Sequence, residues 1–381
     1  MPLATVRRLV RKRPLLHALE VREVIQHALE FQKTLDRAKA KTAAPEPGWY
    51  PWDSFGTITL LDRLLTGRRR FFAPLIGRDP VIDIGCGDGA LSFLFESLGF
   101  RVCAVDHPDA NYNRMRGVHA LKKALASPLR ISAIDVDRDP RLPVERCGLA
   151  LLFGVLYHLK NPLGVLEALA ARARYCLLST AVTRFAPGAP ADVSSLPVAF
   201  LAGRDGLRGD ETNYWIFTET GLRTLLDRAG WDVCDWLAVR DTESVLWETQ
   251  TDERVFCLLR SRAIPHDAQT QLADGWHVLE NGAWRWTMRR FSIAVAPGHR
   301  TLRLKVTIPA TLTPPVTLTG NGVTHTLPKP GDYDCDFPLT PSPEEQLIHF
   351  EVDHALDPDP VDNRERALIV REVGSSGHMI R

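Results

Sequence analysis

Val81-Ile-Asp-Ile-Gly85-Cys-Gly87-Asp-Gly89-Ala90 and, further on, Val102-Cys-Ala-Val-Asp106 decide the fold of this chain. Val81 to Ile84 is an apolar run broken only by Asp83, with the length of a short buried strand. Gly85, Cys86, Gly87, Asp88 and Gly89 follow as a sharp turn, and Ala90 to Leu98 carries an apolar stripe at helical spacing. Arg101 to Val105 reads as a second strand that ends on an acid, Asp106. The segment is a βαβ unit. Its glycines stand where backbone must approach a nucleotide, and its last acid where ribose hydroxyls need an acceptor.

Two kinds of ligand compete for such a turn. A dinucleotide site uses Gly-x-Gly-x-x-Gly and sets a pyrophosphate on the helix N-terminus. Here the spacing is Gly85-x-Gly87-x-Gly89, and Asp83 and Asp88 repel an anion while favouring an amino group. A ligand with a cationic amino-acid end and an adenosine end meets both requirements, and S-adenosylmethionine is that ligand. The segment resembles motif I of the class I methyltransferases. The resemblance implies Asp83 near the methionine amino group, Gly85, Cys86, Gly87 and Gly89 along the donor, and Asp106, with His107 beside it, at the ribose diol.

The remaining chain divides around this unit. Residues 1–47 form a basic leader and linker, with Leu15, Leu19, Val24, Ile25, Leu29 and Phe31 near helical spacing and a Pro/Ala stretch from Ala43 to Pro47. Residues 48–262 form the catalytic domain, which opens on Gly48-Trp-Tyr-Pro-Trp-Asp-Ser-Phe-Gly56 ahead of a helix expected from Thr59 to Leu65. Further strands are expected at Arg130 to Ile134, Leu149 to Phe153, Tyr175 to Ser179, Val233 to Val239 and Val255 to Leu259. Helices are expected around His119 to Leu125, Leu163 to Arg172 and Thr218 to Ala229, the last with Thr218 as N-cap and Gly230 at its end. The methyltransferase resemblance implies seven strands with the last inserted antiparallel. Residues 264–381 alternate short apolar runs with turns such as Gly320-Asn-Gly322 and read as an all-β sandwich. That part resembles small jelly-roll-like modules appended to bacterial glycan-assembly enzymes. The expected fold class is therefore α/β, a Rossmann-like seven-stranded methyltransferase sheet with N-terminal helices and a C-terminal sandwich. None of the cofactor candidates lies beyond 262, so a chain ending near Arg262 is expected to keep its cofactor affinity.

Composition narrows the function. The 381 residues exceed what one core usually holds, and a net charge of +1 supplies no overall field to recruit nucleic acid. No run of ~18 apolar residues is present for a membrane span. The basic start (Arg7, Arg8, Arg11, Lys12, Arg13) has no apolar h-region after it and does not read as a secretory signal. Seven cysteines without a C-x-x-C pair read as reduced, mostly buried thiols. A cytoplasmic enzyme with no metal site is expected.

In a doubly wound sheet, ligands bind outside the carboxyl ends of the strands beside strand one. Asp135 and Val136 are placed there to meet adenine, with Asp137 as the alternative acid in the same turn, and Phe153 and Gly154 end strand four at the same crevice. His158 is the candidate base, since histidine titrates near neutrality; its other reading is a residue that pins the loop. Tyr157 is a wall of the methyl pocket, a hydrogen-bond donor to the acceptor, or a packed aromatic. Trp49, Tyr50 and Trp52 are suited either to clamp a flat ring or sugar face or to staple the leader to the core, and Asn111 and Tyr112 lie on the loop after Asp106. The stretch from Thr183 to Thr212, with Phe185, Phe200 and Arg204, has the length of a lid or substrate wall. Trp276, Trp284 and Trp286 read as sandwich or interdomain packing, with a glycan face as the alternative.

A narrower resemblance spans residues 48–235. Gly154-Val-Leu-Tyr-His-Leu159 with Asn161-Pro162, the Trp52-Asp53 pair, and Thr212-Asn213-Tyr214-Trp-Ile-Phe217 resemble the bacterial tRNA wobble-uridine carboxymethyltransferases. By that resemblance Asn213 and Tyr214 face the acceptor. The family holds the carboxylate of carboxy-S-adenosylmethionine with an arginine directly before its Asn-x-Tyr element, and this chain has Thr212 there. Ordinary S-adenosylmethionine is therefore the expected cofactor. The expected reaction is methyl transfer to a hydroxyl or amine of a small molecule or saccharide. The alternatives are tRNA wobble-uridine modification and, from a different class, a non-catalytic glycan- or partner-binding protein.

Overall fold

The structure is a computed structural model and describes residues 18–186, 191–203, 211–239, 253–265 and 268–377. The basic cluster Arg7 to Arg13, Leu15 and Arg204 lie outside the described residues. The chain forms two compact units, one built from residues 27–65 and 76–265, the other from residues 18–26, 66–75 and 268–377.

Helices α1 (Val21–Ala40), α2 (Ser54–Thr59), α3 (Leu61–Leu64) and α4 (Phe72–Ile76) precede the first strand. The single helix expected from Thr59 to Leu65 is instead two short ones. The Asp53 side chain accepts from the Phe55 and Gly56 N–H groups at 2.9 and 3.0 Å, so it caps α2 and starts it at Ser54. Then come β1 (Val81–Ile84), α5 (Ala90–Ser97), β2 (Val102–Asp106), α6 (Arg116–Ala124), β3 (Arg130–Ala133), β4 (Cys147–Phe153), α7 (Pro162–Ala170) and β5 (Ala173–Ala181). A small antiparallel pair, β6 (Ala199–Leu201) and β7 (Trp215–Phe217), leads to α8 (Glu219–Arg228), β8 (Trp231–Val239) and β9 (Arg254–Ser261).

Seven of these strands make one sheet in the order β3-β2-β1-β4-β5-β9-β8. The first five run parallel, while β9 is antiparallel to both β5 and β8. This is the expected arrangement, with the last strand inserted beside the fifth. Every residue of β1 is buried, as a parallel strand covered by helices on both faces demands. Thr218 caps α8 by accepting from the Gly221 N–H at 2.9 Å, and Gly230 follows the helix at φ +89°. All seven cysteines are free thiols. Among the described residues no helix is long and apolar enough to cross a membrane.

The second unit contains β10 (Gln271–Leu272), β11 (Trp276–Glu280), β12 (Trp284–Thr287), β13 (Arg290–Val295) and β14 (His299–Ile308). It continues with β15 (Val316–Gly320), β16 (Val323–Leu327), β17 (Gly331–Pro338), β18 (Gln346–Val352) and β19 (Ile369–Gly377). They form two five-stranded antiparallel sheets, β10-β13-β18-β15-β16 and β11-β12-β19-β14-β17. Alternation builds the core: Leu302, Leu304, Val306 and Ile308 from β14 are buried together with Phe291, Ile293 and Val295 from β13. Asn321 and Gly322, at φ +47° and +76°, make a two-residue hairpin turn between β15 and β16, where an Asn-Gly pair is the favoured choice.

This unit takes more of the chain than its own strands. Ala18 and Phe71 are part of the sandwich core. The Phe72 and Ala73 N–H groups donate to the Leu19 and Ala18 carbonyls at 3.0 Å each, and Glu20 bridges Phe71. Glu23 receives the fully buried Arg285 guanidinium at 2.8 Å and the Leu279 N–H at 2.9 Å. Two segments that the sequence assigns to the leader and to the start of the catalytic domain are thus built into the C-terminal unit.

Candidate active site

The turn after β1 shapes the site. Gly85 and Gly87 hold φ angles of +74° and +58°, a region that side chains rarely adopt. A Cβ at Gly85 would lie 2.4 Å from Val155 Cγ2, and one at Gly87 would meet the Tyr50 ring at 3.2 Å. Gly89 forms the left-handed N-cap of α5. The backbone thus offers a surface with no side chains of its own, which a ligand can approach closely, and Cys86 is buried within it.

Three carboxylates surround that surface. Asp83 is buried and accepts from Ser92 Oγ at 2.6 Å. Burial, with the charge of Asp106 adding to it, pushes the Asp83 carboxyl up to about 6 against the lowering effect of the Ser92 hydroxyl. Asp106 closes β2, where Oδ2 accepts from the Gly87 N–H at 2.9 Å and Asn111 Nδ2 at 2.8 Å, and Oδ1 from the His107 N–H at 2.8 Å. Burial raises its carboxyl too, and those three donors offset part of the rise. Asp88 is used differently. Its oxygens accept from the Tyr50 N–H and from Asn113 Nδ2, both at 2.7 Å, and so pin the aromatic segment over the turn.

Tyr50 is therefore a wall of the crevice. Its hydroxyl is pushed up to about 12 by burial first, then by Tyr157, Asp106, Asp88 and Asp83. Trp52 is tilted against Tyr50 at 4.8 Å and meets Tyr112 edge-on at 5.9 Å, and Trp52 and Tyr112 are exposed. Trp49 stands apart with Lys39 Nζ 5.7 Å from its ring. Asn111 is engaged at both ends of its amide: Oδ1 also accepts from the Met115 N–H at 2.7 Å. It positions Asp106 and its loop.

The segment after β4 completes the crevice. Phe153 ends the strand, and the Gly154 N–H donates to the Ser179 carbonyl at 2.9 Å. A 3₁₀ turn, Leu156–His158, then sets the Tyr157 and His158 rings 4.2 Å apart. His158 Nδ1 lies 3.1 Å from the Thr212 carbonyl oxygen and 3.0 Å from its hydroxyl. A carbonyl only accepts, while the Thr212 hydroxyl donates or accepts, so Nδ1 finds a partner at Thr212 in either neutral tautomer. The Tyr214 N–H donates to the Tyr157 carbonyl at 2.8 Å, which brings Asn213 and Tyr214 to the same corner. After β3, Asp135 Oδ1 accepts from the Asp137 N–H at 3.1 Å, and Val136 is buried. Asp137 is occupied, since its two oxygens hold the Lys160 and Asn161 N–H groups at 2.8 and 2.9 Å.

Sequence reasoning missed Ser92, Asn113 and Arg254. Ser92 had a local signal, a hydroxyl set between the apolar residues Leu91 and Phe93 of α5. Arg254 had none: it reaches the site through sheet pairing, with Cζ 5.6 Å from the Tyr157 ring centroid.

Residues 58–235 match the family model described as a methyltransferase domain. No curated protein matches the chain. Among solved structures, the N-terminal domain of EvdMO1 with SAH bound is 16% identical, over 62% of this chain and 99% of that one, with a TM-score of 0.38. The 1,6-didemethyltoxoflavin-N1-methyltransferase of Burkholderia thailandensis, with 1,6-didemethyltoxoflavin and S-adenosylhomocysteine, is 20% identical over 48% and 71%, TM-score 0.34. The glycopeptide N-methyltransferase MtfA with S-adenosylmethionine is 16% identical over 50% and 84%, TM-score 0.33. Residues 58–235 thus carry the pattern of a methyltransferase domain. The buried acids around the glycine turn suit a cationic ligand.

The raised carboxyl of Asp83 predicts a pH dependence. Protonation removes the charge that an ammonium group bound against Asp83 would need, so with Asp83 in that role donor affinity is expected above about pH 6 and its loss below it. One proton is taken up per donor released, so affinity falls about tenfold per pH unit on the acid side. Calorimetry with S-adenosylhomocysteine checks this. Asp83→Asn should bind weakly with no such slope, and a wild-type profile that stays flat down to about pH 5 would remove Asp83 from the amino-group site.

Proposed function

We propose that the enzyme moves a methyl group from S-adenosylmethionine to a hydroxyl or amine of a small molecule or saccharide. The observation that carries this reading is His158, which follows β4 beside Tyr157 and is held at Thr212 through Nδ1 at 3.0 and 3.1 Å. A hydroxyl or amine gives up a proton on methylation and a sulfide does not.

Asp83, Gly85, Cys86, Gly87 and Gly89 hold the amino-acid end of the donor. Asp106, with His107 beside it, takes the ribose hydroxyls, and Asp135 and Val136 meet the adenine. Phe153 and Gly154 face the reacting end. When bound, the cofactor supplies a methyl group on a sulfonium, already activated for in-line displacement. The residues of the chain then align the acceptor and receive its proton. Tyr157 and Tyr214 form the acceptor wall beside His158, and Tyr50, Trp52 and Tyr112 offer aromatic faces for a flat ring or sugar. The wobble-uridine reading gains nothing from position 212, where the threonine hydroxyl and carbonyl face His158.

Asp106→Ala tests the donor half. Losing a buried charge-assisted acceptor should weaken S-adenosylmethionine by about 1–3 kcal/mol in calorimetry. Asp106 also orders the Gly87 N–H and Asn111, so Asp106→Asn and a thermal melt accompany it. Unchanged affinity in a folded Asp106→Ala protein excludes the ribose role. The acceptor half is tested by incubating metabolite extracts with methyl-labelled donor and identifying the labelled product by mass spectrometry. Label on carbon or sulfur alone contradicts a hydroxyl or amine acceptor.

A further inference from the structure

We infer that Tyr50 contacts the donor, as a roof on the glycine turn, and that Asn113 and Arg116 are positioning residues that clasp it there. The inference rests on the proposed function and gives the aromatic segment a donor role beyond the acceptor face assigned above.

Residues 46–50 cross the turn as a strap tied down at three places. The Tyr50 N–H donates to Asp88 Oδ2 at 2.7 Å. Asn113 Nδ2 donates both to the Gly48 carbonyl at 3.1 Å and to Asp88 Oδ1 at 2.7 Å, so one fully buried amide joins the strap to the turn. Arg116 Nη2 reaches the Glu46 carbonyl at 2.6 Å, and its Nε donates to the Asn113 carbonyl at 3.0 Å. Asn113 is itself fixed, since its Oδ1 accepts from the Gly117 N–H at 3.0 Å. A Cβ on Gly117 would collide with Asp88 and Asn113, so glycine there leaves room for the clasp. All of these residues belong to one compact unit.

The clasp sets an aromatic ring on a turn that has no side chains of its own. Tyr50 Cγ, Cδ1 and Cδ2 lie 3.2–3.3 Å from the place a Cβ on Gly87 would take. The Gly87 N–H in turn donates to Asp106 Oδ2 at 2.9 Å, so the ring, the turn and the acid assigned to the ribose are contiguous. Burial raises the Tyr50 hydroxyl, and Tyr157, Asp106, Asp88 and Asp83 raise it further, which places it among the groups of the crevice. A ring that only stapled the leader to the core would not stand among those charges. Asp83 and Asp106 are the acids assigned to the two ends of the donor, so a donor held by both passes this ring. An aromatic face attracts a cation, and the donor carries two, an ammonium and a sulfonium. Covering the turn also keeps water from the acids and strengthens their hold.

Calorimetry and stopped-flow binding of S-adenosylhomocysteine to the full-length protein, with no acceptor present, test the inference. Tyr50→Ala should weaken binding about tenfold or more, and Tyr50→Phe, which keeps the ring, should recover most of that loss. Tyr50→Leu, which keeps bulk over Gly87 without an aromatic face, serves if Tyr50→Ala does not fold. Arg116→Ala leaves ring and turn intact and should speed dissociation about threefold or more, because a loosened cover lets the ligand leave. Amide exchange across residues 46–52 should slow when S-adenosylhomocysteine is added, and slow less in Arg116→Ala. Affinity within about twofold of wild type in folded Tyr50→Ala or Tyr50→Leu overturns the donor contact and leaves Tyr50 to the acceptor. Unchanged dissociation in Arg116→Ala, with only a lower melting temperature, overturns the clasp, since a merely structural staple gives that result. Strap exchange that ignores the ligand overturns it as well. No binding by wild type contradicts the proposed function and this inference with it, whereas binding that every variant leaves untouched contradicts the inference alone.

Discussion

A chain ending at Arg262 is expected to aggregate rather than survive as a folded monomer, even though its seven-stranded sheet is intact. The reason lies at the other end of the sequence. Phe71, 1% exposed, and Ala18, 4% exposed, are core residues of the sandwich unit. Removing the sandwich strands leaves both on the surface, and burial of one phenylalanine is worth about 1.5–3 kcal/mol. The Arg70–Glu20 contact and the Glu20–Phe71 bridge remain as a small sheet fragment with no core beneath it. Newly exposed apolar surface of this kind drives association. Size-exclusion chromatography and a thermal melt of the truncated chain decide the matter: a monomer melting where the full chain does would show that the two segments are passengers. A point substitution reaches the same contact without deleting anything. Arg285 is fully buried and donates to Glu23 Oε2 and to the His277 carbonyl, both at 2.8 Å. Arg285→Ala leaves the carboxylate without its counter-charge, and breaking one side of a buried pair costs about 3–5 kcal/mol.

These contacts mark where the sequence stopped being legible. Glu23 and Arg285 are 262 residues apart, and no periodicity or turn signal connects them. Local chemistry, by contrast, was readable. The glycine turn, Thr218 as an N-cap and Asn321-Gly322 as a hairpin turn each act through their immediate neighbours, and each is found as expected. Beyond the first βαβ unit the strand order was implied by the methyltransferase resemblance, and the sheet has that order. Within the site, residue types were legible and their partners were not. Asp88 was noticed as an acid that repels an anion, but its carboxylate is occupied by Tyr50 and Asn113 and holds the aromatic segment over the turn. Asn111, on the loop after Asp106, is spent on Asp106 and Met115. Arg254 joins the site only through its pairing with β5.

His158→Gln is expected to abolish most turnover while leaving the donor site alone. Positioned proton transfer contributes about 10²–10⁴-fold, so transfer of labelled methyl to the acceptor should fall by that range. Donor affinity should change little, because Thr212 and Tyr157, which His158 contacts, are not part of the glycine turn. A purely structural histidine predicts something else. Loosening the 3₁₀ turn would move Tyr157 and Tyr214 together, raising KM for the acceptor with kcat largely retained. Thr212→Val sharpens the distinction, since it removes the hydroxyl at 3.0 Å and keeps the carbonyl at 3.1 Å. It should cost far less than His158→Gln. Turnover of folded His158→Gln within about threefold of wild type would end the assignment of His158 as the base.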